Sequence, residues 1–274
     1  MKHILYALNG TFFMLLVPAL FVLALRQLSH EANQKLVNTF GFNSQIIAGG
    51  LGIIVHELSH LIMAIIFGHH INAVSLLRIP SNTNDMSLGY VKHTWSPTST
   101  YQKVGNAFIG IAPVLGCTLL IYIIMRTLNA PISLVQNQLT TQLLSNGNAP
   151  NWNFLTHSWI YIFELFQLNF DSIWHSIVAL LLVISLCFGG FDLSEADISS
   201  GKYAFLGLIG ITFIMLLLVS FLGFHAALLP FLVNITVWIY LVFIISIVIL
   251  AIINLIMYIL NIIPDLKLKC NTKC

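Results

Sequence analysis

The chain is short of charge. Of its 274 residues only 7% are Asp, Glu, Lys or Arg, against roughly 25% in an ordinary soluble domain. So few charges cannot cover the surface of a soluble protein of this length, which excludes a soluble globular enzyme, a disordered chain and a fibre. There is no basic stripe either. Eleven Lys+Arg stand against nine Asp+Glu, for a net charge of +2, so nucleic acid is not an expected partner. Four cysteines are too few and too scattered for a disulfide framework. Cys117 and Cys187 lie in apolar runs, and Cys270 and Cys274 sit in a Lys-rich tail that suits a reducing cytoplasm. Internal repeats and low-complexity stretches are absent. What is abundant is apolar: 58% of residues are hydrophobic and mean hydropathy is +0.92.

These numbers predict an all-α polytopic membrane protein, a single membrane domain over 1–274. About 20 apolar residues span a bilayer as a helix. Six runs qualify: Ile4–Leu25, Ser44–Gly68, Gly105–Leu128, Ile173–Phe191, Tyr203–Phe224 and the over-long Leu229–Ile263. The first begins like a signal peptide behind Lys2. It is longer than such an apolar region and lacks a convincing small-x-small cleavage site, so it reads as a helix. The positive-inside rule puts Lys2, Arg78, Lys92, Lys103, Lys202, Lys267, Lys269 and Lys273 in the cytoplasm and Arg26, Lys35 and Arg126 outside, with both termini cytoplasmic and the cell membrane as location. A cytoplasmic β-hairpin is predicted from Ile71–Ile79 and Ser87–Trp95 around Pro80-Ser-Asn-Thr-Asn-Asp85. Asn129–Ser172 is a polar external connection in which Trp152 and Trp159, with Trp174 just after, suit an interface.

The second run carries His56-Glu57-Leu58-Ser59-His60, an HExxH motif. Residues four apart share a helix face, so two imidazoles can hold one ion, and two nitrogen ligands suit zinc. Glu57 beside them is placed to take a proton from a water that the ion activates. By its own His and Glu frequencies a chain like this shows the motif by chance about once in 200. An ionisable group at a helix centre costs about 2.5–3.5 kcal/mol to insert, and Glu57 is the only acidic residue well inside any predicted span. The bland alternative has His56 and His60 bonded to neighbouring helices and Glu57 protonated or paired.

A catalytic zinc site needs a third protein ligand and one open position. Asp192, Glu195 and Asp197, after the fourth run, lie on the motif's predicted side. Asp85 and Asp265 are weaker candidates, and Glu164 falls outside. Ser194-x-x-Asp197 also fits a helix capping box, so Asp197 reads either as ligand or as cap. His69, His70 and His93 read as loop histidines, and His175 and His225 as structural.

Continuing from the motif, HELSHLIMAIIFGHHINAVSL resembles the site-2 protease (M50-type) family of intramembrane zinc metalloproteases, with Ala64 and Gly68 at the family's spacing and Ser59 where Gly is usual. Gly105-Asn106-Ala-Phe-Ile-Gly110-Ile-Ala-Pro113 and Phe191-Asp-Leu-Ser194-Glu-Ala-Asp197 resemble segments of a bacterial branch. The family's NxxPxxxLDG form is missing: Asn261-Ile-Ile-Pro264 matches its start, but Lys269 stands at the acidic position. The resemblance implies His56, His60 and Asp197 as zinc ligands and Glu57 as catalytic base. It implies a catalytic core over 44–202, with C-terminal helices 203–274 of unassigned role, and small residues Ala64 and Gly68 on the histidine face that let a helix approach. The expected activity is hydrolysis of peptide bonds in or near transmembrane segments of a membrane-protein or peptide substrate. Two other readings stay open: a catalytically silent metal-binding regulator or chaperone, and an ion- or proton-coupled transporter.

Overall fold

The computed structural model describes residues 1–79, 87–128, 135–141 and 173–271, with the backbone alone at 204, 225–227 and 262–271. It is all-α with one small hairpin, and six helices are long and apolar enough to cross a membrane. They are α1 (Lys2–Phe40), α2 (Ser44–Ile66), α3 (Thr100–Leu128), α4 (Ile173–Gly190), α5 (Glu195–Phe221) and α6 (His225–Asn271). Strands β1 (His70–Ser75) and β2 (Tyr90–Thr94) pair antiparallel between α2 and α3, with a register shift between Ile71 and Ala73. The ladder is shorter than the sequence predicts. Arg78 prolongs the hairpin beyond it, donating its backbone N–H to the Leu88 carbonyl and its Nε–H to that of Ser87. Asp85, Trp152, Trp159 and Glu164 lie outside the described residues.

Helix α1 does not stop at Leu25. The apolar run marks what suits lipid, but the helix continues through good helix formers to Phe40 and ends at Gly41, whose φ is +84°. Its polar extension grips the end of α4: Ser29 Oγ and Asn33 Nδ2 both donate to the Phe188 carbonyl. Near its start, Pro18 cannot donate to the Met14 carbonyl, and the preceding turn, Phe12–Leu16, widens into a π turn. The buried Tyr240 of α6 donates its hydroxyl to the Phe13 carbonyl there.

Close helix crossings rest on glycine. Gly49 and Gly52 of α2 face Gly189 and Gly190 of α4, and a Cβ at Gly52 would lie 2.5 Å from the Ser185 carbonyl and 2.6 Å from the Gly190 nitrogen. The small-residue approach expected at Ala64 and Gly68 is therefore made elsewhere. Ala64 is buried, but Gly68 lies beyond the helix with φ +69°. There it closes a Schellman turn, in which the Gly68 and His69 N–H groups donate to the Ile65 and Ala64 carbonyls.

The charge count places Lys2 together with Asp192–Lys202 and Arg26 opposite them, and the structure reverses that grouping. Arg26 donates to the Leu193 carbonyl and pairs with Glu195, while His3 meets Ser220 at the other end of α5. Helices α1 and α5 are antiparallel, so Arg26 lies at the same end of the bundle as Asp192–Lys202, and Lys2 at the opposite end. The positive-inside count treats each cation as a solvated label. Arg26 is instead anchored to a carboxylate and a carbonyl, and its position reports the fold. In a background without native cysteines, cysteines placed at the exposed Gln34 and Ser199 should react with an impermeant thiol reagent from the same side of the membrane. Reactivity from opposite sides would rule out this packing.

Candidate metal centre

The two motif histidines sit mid-helix on α2, turned toward α3, α4 and α5. His56 Nδ1 is 3.2 Å from the Gly190 carbonyl, and His60 Nδ1 is 2.9 Å from the Ile109 carbonyl. A carbonyl only accepts, so each Nδ1 carries the proton and each Nε2 presents a lone pair. The two Nε2 atoms are 3.2 Å apart. Asp197 completes the group, its Oδ1 3.1 Å from His60 Nε2 and its Oδ2 3.6 Å from His56 Nε2. All three residues are largely buried. Three electron-pair donors thus converge in a low-dielectric interior, an arrangement that a cation at their centre stabilises. Among the described residues this is the one group of three His, Cys, Asp or Glu side chains placed to hold a single ion, with ligand atoms within 4.8 Å of one another. Three N/O donors fit zinc with one position left open.

The structure separates the acidic candidates. Asp192 accepts from Asn33 Nδ2 at 2.9 Å and faces His30 Nδ1 at 3.1 Å, and Glu195 is exposed and paired with Arg26. Neither reaches the histidines. Asp197 does, and it is also the cap. Ser194 donates both its backbone N–H (2.8 Å) and its hydroxyl (2.7 Å) to Asp197 Oδ2, and Ser194 Oγ accepts from the Asp197 N–H. Asp197 thus caps α5 and faces the motif histidines at once: the capping box holds Oδ2 and leaves Oδ1 facing His60. Gly110 allows α5 to come this close, since a Cβ there would lie 2.6 Å from the Asp197 carbonyl. Ser59 packs against Gly116 of α3, where a Cβ would collide with the Ser59 hydroxyl.

A cleft of about 520 Å³ opens onto this group. His56, Glu57, His60 and Asp197 form its floor, residues 87–91 one wall, and Asn33, Gln45 and Asp192 also line it. Asn33 belongs to α1, and α1 also holds 188–195 through Ser29, Arg26 and His30. Helix α1 therefore contributes to this cleft together with residues from 44–202. Glu57 lines the cleft and makes no hydrogen bond or ion pair among the described residues. Gly89 passes directly over it. A Cβ at Gly89 would lie 2.7 Å from Glu57 Cγ and 3.0 and 3.1 Å from the Leu76 and Ser75 carbonyls. Reading the sequence missed Gly89 and Asn33; the only signal for Gly89 was a lone glycine leading into a strand. Gly89→Ala should keep the metal but push the hairpin off Glu57. Displacements near 1 Å cost up to about 100-fold in rate; under the protease reading proposed below, cleavage should fall about 10- to 100-fold at unchanged metal content, and full activity would show that the hairpin does not set the Glu57 position.

His69 and His93 form a second pair beside the cleft, Nδ1 to Nδ1 at 2.9 Å, with His69 Nε2 donating to the Gln102 carbonyl. Burial first, then the neighbouring His69 and His60, holds the His93 imidazole below its ordinary range. Gln102 ties the same corner together through the Gly68 carbonyl and the Ser96 N–H, so these histidines fasten the hairpin to α2 and α3. Comparison with protein-family models, with curated proteins and with solved structures finds no match for this chain.

Proposed function

We propose that this chain is an intramembrane zinc metalloprotease of the site-2 protease type, acting on peptide bonds in or near transmembrane segments of membrane proteins. One observation carries the reading. Two Nε2 lone pairs and a carboxylate converge at the floor of an open cleft, and next to them lies the carboxylate of Glu57, which has no hydrogen-bond or ion-pair partner among the described residues. His56, His60 and Asp197 are the residues that would hold zinc. Bound there, zinc supplies Lewis-acid polarisation of the scissile carbonyl.

The chain's own groups account for the rest. A peptide bond inside a helix is shielded, because its carbonyl is already hydrogen-bonded. The segment must unwind, and an unwound segment in a low-dielectric setting needs new backbone partners. The 87–91 wall leads into β2, in a sheet of two strands, and strand addition there supplies such partners. Glu57 takes the proton of the attacking water and delivers it to the leaving amine. Packing of α3, α4 and α5 around the histidines keeps lipid from them. Purified without chelators, the protein should contain about one zinc per chain. Wild-type protein devoid of metal would remove the enzyme reading and favour the transporter.

A further inference from the structure

We infer that Pro113 is a positioning residue of the metal centre, acting on His60 through the Ile109 carbonyl; the inference rests on reading this site as a metal centre. Pro113 lies in the interior of α3, where it lacks the N–H that would bond four residues back. Four residues back is Ile109. Its carbonyl, buried and deprived of its helical donor, receives the His60 Nδ1 proton at 2.9 Å. The proline ring also crowds that carbonyl and tips it away from the helix axis, here toward α2. His56 is served in a parallel way, since its Nδ1 bonds the carbonyl of Gly190, the last residue of α4, where a helix leaves carbonyls without intrahelical donors.

Both imidazoles are therefore oriented by backbone carbonyls that regular helix would not offer. A ligating histidine whose distal N–H is fixed by a carbonyl has its tautomer and ring plane fixed with it. The proline costs α3 a hydrogen bond and makes one available where His60 needs it. Gly110 and Gly116, on either side of Pro113, keep α5 and α2 close enough for the bond to form.

The experiment measures two quantities on the full chain in detergent: zinc affinity by competition with a chromophoric chelator, and the melting temperature of the metal-free protein. The variants are Pro113→Ala and, as a control for losing a helix proline elsewhere, Pro18→Ala. Restoring an N–H at position 113 returns the Ile109 carbonyl to the helix. Metal-free Pro113→Ala should then melt at or above the wild-type temperature while its zinc affinity falls about 10- to 100-fold, the usual effect of losing such a support. Pro18→Ala should leave zinc affinity unchanged. Wild-type zinc affinity in Pro113→Ala would overturn the inference, as would a weakened affinity accompanied by a lowered melting temperature, since that is general unpacking. Absence of zinc from the wild type would instead overturn the metal-centre reading itself.

Discussion

Asp197→Asn is expected to abolish zinc retention without unfolding the protein. The substituted amide can keep its oxygen toward Ser194, whose N–H and hydroxyl now bond Asp197 Oδ2, and turn its NH2 toward the two histidine lone pairs. That satisfies the cap and fills the centre with donors, so the helix start survives. A metal site that loses one of three ligands and its only negative charge should weaken by well over the 10- to 100-fold typical of an outer support. Asp192→Asn is the contrasting variant. Asp192 pairs with His30 and Asn33 at a partly exposed position, where such a pair contributes about 0–1 kcal/mol, and it should bind zinc as the wild type does. Metal analysis and melting of both variants decide the matter. Normal zinc in Asp197→Asn with loss in Asp192→Asn would move the ligand to Asp192.

Glu57→Gln should keep both fold and zinc and lose cleavage. The side chain keeps its shape beneath Gly89, and no described residue hydrogen-bonds or ion-pairs with its carboxylate. What disappears is the base, and positioned acid–base groups typically contribute 10²- to 10⁴-fold to rate. Comparative membrane proteomics of cells carrying wild type or Glu57→Gln should reveal a fragment that only the wild type produces. A fragment formed equally by both would show that Glu57 is not the base. Zinc in both proteins with no differential fragment would leave a metal-binding regulator.

The parts legible from the chain are those encoded by local period. Apolar runs of spanning length gave all six helices, because lipid selects composition directly. His56 and His60 were found together because positions four apart on a helix must share a face. The turn-forming stretch Pro80–Asp85 between two strand-like runs announced a hairpin. Other features were legible only as alternatives. Ser194-x-x-Asp197 has the spacing of a cap, and nothing local says that the same carboxylate also faces two histidines on another helix.

Where the reading went wrong, a non-local contact had displaced a local rule. Charge counting set Arg26 on the side opposite Asp192–Lys202, yet it is bound to Glu195 and the Leu193 carbonyl. Leu25 looked like the end of a span, yet α1 runs on to Phe40 because Ser29 and Asn33 find the free carbonyl at the end of α4. Gly68 looked like a helix-packing residue and is a helix terminator.

By itself, then, the sequence determined a membrane bundle whose second helix carries two imidazoles four residues apart with a carboxylate beside the first, since hydropathy and helical period act over a few residues. Only the tertiary structure decided that Asp197 meets the histidines while Asp192 and Glu195 turn to α1, that Gly89 passes over Glu57, and that the Ile109 carbonyl is the one His60 finds. Those outcomes depend on where glycines let α2, α3, α4 and α5 cross and on which backbone carbonyls are left without a helical donor, and both are properties of packed helices that no single segment carries.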